Sequence, residues 1–208
     1  MADVVVVDSG GANLASLGYA LARLGVESTV SADPQRIRRA SHVLLPGVGS
    51  AHDAMQRLTA AGLAQVIPQL TQPLLGICLG MQLLFDSSAE TSAHSAAATD
   101  GTPGLGVIAG RVERLAGAPD RPVPHMGWNQ MESLRADPLL AGISPADHVY
   151  FVHSYAAPVT DATLAVTGYG QQFASVVRRN NFRGVQFHPE RSATVGARVL
   201  ANFLALQE

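Results

Sequence analysis

Residues 73–85, PLLGICLGMQLLF, decide the fold: Pro73 to Ile77 reads as a short apolar strand, and Leu79 to Phe85 reads as a helix that begins directly after Cys78. A strand that passes straight into a helix is half of a βα unit, and the same alternation recurs outward from it. Val4 to Val7 is a continuous β-branched run closed by Asp8 and a Ser9-Gly10-Gly11 turn. Asn13 then occupies an N-cap position, with Leu14, Leu17, Leu21 and Leu24 at helical spacing and Gly25 just past the end. Val26 to Val30 is strand-like, Asp33-Pro34 opens a short helix, and His42 to Leu45 is a strand expected to stop at Pro46-Gly47. Ala51 to Leu70 reads as helix with an interruption near Gly62. Strands alternating with helices predict a parallel sheet covered on both faces.

Beyond the deciding stretch, Ser87 to Pro103 is rich in Ser, Ala and Thr with little to bury, and is read as a mobile surface loop. The second half is strand-rich: Val107 to Leu115, Val123 to Asn129, His148 to Ala156, Leu164 to Tyr169, Ala174 to Val177 and Phe182 to Phe187. A last helix is expected from Ala193 to Leu206. There is no internal repeat and no charge block, so residues 1–208 are read as one α/β domain, a mostly parallel sheet flanked by helices.

Composition narrows the function classes. Among 208 residues, 47% are hydrophobic and 14% charged, which excludes a disordered chain. Net charge is −2 and every one of the 14 basic residues is Arg, so no basic surface for nucleic acid is expected. No apolar run approaches the roughly 20 residues of a membrane span. Met1 leads directly into Asp3 and a Val run without the basic region of a signal peptide, and the chain is read as cytoplasmic. Cys78 is the only cysteine, which excludes an internal disulfide and a thiolate zinc site. The seven His show no paired metal-binding spacing.

Chemistry gathers at three strand ends. Gly76-Ile77-Cys78-Leu79-Gly80 has the form G-x-C-x-G, the cysteine counterpart of the sharp strand-to-helix turn that lifts a nucleophile above a sheet. The start of a helix supplies free N–H groups and a positive dipole end, both of which favour a thiolate. The competing reading is a small buried cysteine in a Gly-bounded turn. Val185-Gln186-Phe187-His188-Pro189-Glu190 closes another apolar strand, where Pro189 ends the ladder. There His188 can take a thiol proton at one ring nitrogen while Glu190 holds the other. Pro46-Gly47-Val48-Gly49 ends a third strand. An oxyanion would find one donor among Gly47, Val48 and Gly49 and a second at the Leu79 amide. Each segment alone has an ordinary structural reading, but in a parallel sheet the carboxyl ends of strands collect along one edge.

GICLG, FHPE and PGVG in this combination resemble the class I, triad-type glutamine amidotransferase domains, whose fold is flavodoxin-like, over nearly the whole chain. Pro124-His125-Met126-Gly127-Trp128-Asn129 and Tyr150-Phe151-Val152-His153-Ser154-Tyr155 resemble one branch of that family, the glutaminase subunits of imidazole glycerol phosphate synthases of the histidine pathway. The resemblance implies that Cys78 attacks the side-chain amide of L-glutamine and that His188 moves the proton to departing ammonia. Glu190 would orient His188, and Gln82 would contact the substrate. A thioester on Cys78 is then hydrolysed to glutamate, with no metal or organic cofactor. It further implies that ammonia passes to a cyclase subunit, an eight-stranded β/α barrel, which uses it on a phosphoribulosyl intermediate. No barrel fits in this chain, so that partner is expected as a separate one. Asn13, His125, Trp128 and Asn129 would line the face toward it.

Some residues depart from the branch. Arg191 stands after FHPE where Lys is usual, which keeps the charge but changes the geometry of any ion pair with the partner. Aromatic residues usual near Ser9 and Ala51 are replaced by small ones. The alternatives are a glutaminase serving another synthase and a non-catalytic α/β regulatory subunit that has kept the turn. PHMGWN and YFVHSY argue against the first, and the intact Cys78, His188 and Glu190 against the second.

Overall fold

The structure, a computed structural model, describes residues 3–9, 14–91 and 101–207. The first half runs Val4–Val7 (β1), Leu14–Arg23 (α1), Ser28–Ser31 (β2), Pro34–Arg39 (α2), His42–Gly47 (β3), Ala51–Ala60 (α3), Leu63–Val66 (α4), Leu74–Cys78 (β4) and Leu79–Gln82 (α5). Strands then dominate: Phe85–Ser88 (β5), Thr102–Pro103 (β6), Ile108–Arg114 (β7), His125–Gln130 (β8), Ser133–Leu134 (β9), His148–His153 (β10) and Tyr155–Ala156 (β11). Thr163–Gly168 (β12), Gln172–Arg179 (β13), Phe182–Val185 (β14) and the helix Ala193–Leu204 (α6) complete the chain.

The main sheet has the order β2-β1-β3-β4-β14-β13-β12-β9. Its first five strands are mutually parallel and the remaining pairings are antiparallel. Both faces are covered, which explains why β1 is an unbroken Val run: Val4 and Val6 join a core with Leu17 and Leu21 of α1 and Phe203 of α6, while Val5 and Val7 join one with Ile37, Leu58 and Leu63 of α2 to α4. A four-stranded sheet, β11-β7-β5-β6, and a two-stranded ribbon, β8 with β10, account for the extra strands of the second half. Asp33 caps α2 by accepting from the Gln35 amide at 2.9 Å, and Gly62, at φ 70°, separates α3 from α4 where the sequence pattern breaks.

Three expectations need correction. β3 does not stop at Pro46: it continues to Gly47, which pairs with Cys78, and the Pro46 carbonyl accepts from the Ser9 hydroxyl at 2.9 Å. The helix after Cys78 is a single turn rather than a run to Phe85. Leu83, Leu84 and Phe85 are all buried, and their carbonyls are taken by the amides of Leu105, Ile108 and Gly106 instead of by a following helical turn. The ends of the expected loop from Ser87 to Pro103 pair with each other, Ser87 with Pro103 and Ser88 with Thr102; residues 92–100 lie outside the described residues.

Glycines permit the crossing of β3, β4 and α5. A Cβ on Gly80 would run into the Leu45 carbonyl oxygen, and one on Gly76 would meet the Gly80 carbonyl oxygen at 2.7 Å. Gly18, within α1, has open space around it. Gly80→Ala is therefore expected to destabilise the fold by roughly 1–3 kcal/mol through overpacking, while Gly18→Ala stabilises it by roughly 0.5–1 kcal/mol through helix propensity. Urea denaturation of both variants checks the pair, and equal effects would contradict the packing.

Candidate active site

Cys78 closes β4 and caps α5 with φ 54° and ψ −112°, a left-handed conformation rare for a residue with a side chain. Gly80 packs against the Leu45 carbonyl of β3 and Gly76 against Gly80 and Met81 of α5, and strain of this kind persists only where its surroundings over-determine it. The sulfur points into a cavity of about 400 Å³. Pro46, Gly47, Val48 and Gly49 line one side of this cavity, and Leu79, Gln82, His188, Glu190 and Arg191 also border it. The three strand ends singled out in the sequence thus meet at one site. The predicted triad and every predicted oxyanion and substrate position line the same cavity.

His188 follows β14 and is buried to 8% exposure. Its Nδ1 lies 2.8 Å from a Glu190 carboxylate oxygen, so Nδ1 donates and the ring is held in one orientation. Nε2 is buried without a well-formed hydrogen bond, although the Cys78 thiol acts on the ring. That loose approach leaves room at Nε2 for a substrate atom. Burial works to lower the His188 pKa, but Cys78 and Glu190 outweigh it and raise it to about 10. At neutral pH the ring is an imidazolium beside the sulfur, a neighbour that favours the thiolate.

Two further histidines lie close by with the opposite character. His125 Nδ1 and His153 Nε2 are 3.0 Å apart, and His153 Nδ1 is 2.8 Å from the Tyr155 carbonyl oxygen. Burial lowers the pKa of both to about 4. They are neutral at pH 7.

The ribbon of β8 and β10 has two faces. His125, Phe151 and His153 point inward, while Met126 and Trp128 are 62% and 52% exposed. Trp128 stands on a surface, as the sequence suggests. His125 does not: at 3% exposure it lies beneath that face, stacked on Phe151 and Tyr169, because strand alternation turns it inward. The Asn129 side chain also turns inward, donating to the Gly168 carbonyl at 3.0 Å. Arg191 places its guanidinium 4.5 Å from the centre of the Tyr150 ring, and Tyr150 meets Trp128 edge to face. Asn13 lies outside the described residues.

Two residues of the site escape a reading of the sequence. Glu90 borders the cavity and accepts from the Ala51 amide at 2.7 Å, at the start of α3. Burial raises its pKa, the Ala51 amide opposes this, and Asp53 adds to the rise. It is hidden in a Ser/Ala-rich run, where one of two isolated acids is the only signal. Gln186, fully buried, donates from Nε2 to the Cys78 sulfur at 3.7 Å. Its signal is an amide between Val185 and Phe187, directly after β14 and two residues before the histidine.

The model of the class I glutamine amidotransferase family matches residues 5–206. The imidazole glycerol phosphate synthase subunit HisH of Xylella fastidiosa is 50% identical over 206 residues, covering 99% of this chain and 98% of that protein. The subunit HisH 2 of Legionella pneumophila is 48% identical, with 98% of each covered. Among solved structures, a glutamine amidotransferase superposes with a TM-score of 0.72 at 21% identity, covering 97% of this chain and 96% of that one. A glutamine amidotransferase from Thermotoga maritima gives 0.61 at 17%, covering 97% and 82%. The chain belongs to the class I glutamine amidotransferase family, in the group of imidazole glycerol phosphate synthase subunits called HisH.

Proposed function

We propose that this chain is the glutaminase subunit of an imidazole glycerol phosphate synthase, hydrolysing L-glutamine at Cys78 and passing the ammonia to a cyclase subunit. The observation that carries this is the cavity in which a strained cysteine at a helix start faces a carboxylate-held imidazolium. The Cys78 sulfur attacks the substrate amide carbon. The oxyanion that forms takes hydrogen bonds from the Leu79 amide and from one amide of the Gly47-Val48-Gly49 turn. His188 gives the proton it holds to the departing nitrogen, which leaves as ammonia, and a glutamyl thioester remains on Cys78. The neutral imidazole then takes a proton from water as it attacks the thioester carbonyl, which releases glutamate and restores the pair. Glu190 keeps Nδ1 protonated throughout. Glu90 offers a carboxylate to the substrate's α-ammonium group, and the Gln82 amide offers a further polar contact.

The partner surface is the outer face of the β8 and β10 ribbon, where Met126 and Trp128 stand exposed. Large solvent-facing aromatics such as Trp128 are enriched among the hot spots of protein interfaces. Arg191 on Tyr150, and Tyr150 against Trp128, join that face to the turn that holds His188 and Glu190.

Three outcomes are expected. Glutamate release, measured with a barrel cyclase and its nucleotide ligand present, falls by at least about a thousandfold in Cys78→Ala. The circular dichroism of that variant is unchanged, and activity that survives in it ends the proposal. Trp128→Ala weakens partner binding by roughly ten- to a hundredfold with no loss of fold, as read by titration calorimetry. His188 titrates by NMR near pH 10, and Glu190→Gln brings that midpoint down by removing a group that raises it. Because the folded value lies above the ordinary 6.5, the imidazolium stabilises the fold fully below pH 6.5 and this contribution is lost as pH rises through about 10. A wild-type midpoint near 6.5 would contradict the pairing.

A further inference from the structure

Behind the sulfur, on the protein side of the cavity, buried polar groups bond to one another in a single ordered chain. The Tyr155 carbonyl oxygen can only accept. Gln82 Nε2 lies 2.7 Å from it and 2.9 Å from Gln186 Oε1, so the Gln82 amide must present its NH₂ group to both. Gln186 then has its oxygen committed to Gln82, and its own NH₂ group is left facing Cys78, at 3.7 Å from the sulfur. The orientation of both amides follows from one carbonyl.

The same carbonyl fixes the histidine pair. His153 Nδ1 donates to Tyr155, so neutral His153 accepts at Nε2, and His125 must donate to it from Nδ1. His125 Nε2 is then the acceptor, and the Asn129 amide approaches it at 3.4 Å while also donating to the Gly168 carbonyl. Donors and acceptors therefore run in one direction from β8, the strand that carries Trp128, to the Tyr155 carbonyl, where the branch through Gln82 and Gln186 reaches the nucleophile.

We infer that Gln186 is a positioning residue for glutamine hydrolysis: its amide, locked as a donor by Gln82 and the Tyr155 carbonyl, holds the Cys78 sulfur in its attacking position and stabilises it as a thiolate. The inference rests on the glutaminase reading and adds to it a residue outside the triad. A donor at this point is worth more than one at the surface, because Gln186 is fully buried and its hydrogen bond is not diluted by water. It also approaches the sulfur from a group other than His188. Of the two groups that reach the sulfur, only His188 takes part in proton transfer.

The test is Gln186→Glu, which keeps the shape and replaces the donor by an acceptor of like charge to the thiolate. In complex with the cyclase, kcat for glutamate release is expected to fall at least about tenfold while KM for glutamine changes less than about twofold, since the loss falls on the reacting atom and not on substrate contacts. Alkylation of Cys78 by iodoacetamide at neutral pH is expected to slow several-fold in the same variant. A folded variant with kcat and alkylation rate within about twofold of wild type would overturn the inference. Should Gln186→Glu fail to fold, NMR of the wild-type protein and of Cys78→Ala supplies the answer. The side-chain amide resonances of Gln186 are expected to move when Cys78 is replaced in Cys78→Ala, and resonances that stay in place would overturn it. If the wild-type complex releases no glutamate, the glutaminase reading fails, whereas alkylation and the amide resonances still report on the contact between Gln186 and Cys78.

Discussion

The site depends on a steric constraint at the end of β4. Cys78 is held at φ 54° because β3, β4 and the first turn of α5 approach so closely that neither Gly76 nor Gly80 has room for a Cβ. This arrangement turns the chain sharply, so that the sulfur leaves the sheet on the side where β3 and β14 also end. The PGVG turn and the segment from His188 to Glu190 reach the same cavity because parallel strands deliver their carboxyl ends to one edge. The strain at Cys78 is sustained by the two packed layers on either side of the sheet. Fold stability and nucleophile geometry therefore rest on the same contacts.

Electrostatics then separates the three histidines of this region. His188 lies between a carboxylate and a thiol and retains its proton to about pH 10, whereas His125 and His153, buried away from any carboxylate partner among the described residues, are neutral down to about pH 4. Near pH 7 the site thus contains one imidazolium at the sulfur and two neutral rings behind it. A second positive charge in this space would compete with the imidazolium for the Glu190 carboxylate. Neutral rings can instead hold the Tyr155 carbonyl and, through it, the amides that reach Cys78.

Much of this arrangement is legible in the order of the residues. The Val4 to Val7 run announces a strand covered on both faces, and the GICLG turn announces the elbow, because each depends on local residue size and β-branching. The ends of elements are harder. The helix after Cys78 shrinks to one turn because the segment from 105 to 108 captures the carbonyls it would have used, a contact that no local pattern encodes. The inward turn of His125 and Asn129 is fixed by the register of β8 against β10, where a shift of one residue would exchange the two faces. Glu90 and Gln186 stay hidden for a similar reason. Each becomes part of the site only when distant segments meet, Glu90 at the start of α3 and Gln186 beneath the elbow.

The central claim is that the strained cysteine itself carries the acyl group. It is tested most directly by quenching the complex in acid during turnover of glutamine and weighing the peptide that contains Cys78. As this is the only cysteine in the chain, the site of attachment is unambiguous. The account predicts that this peptide gains the mass of one glutamyl group and loses it on treatment with hydroxylamine, as a thioester does. Steady glutamate release from a complex in which Cys78 never carries that group would contradict it.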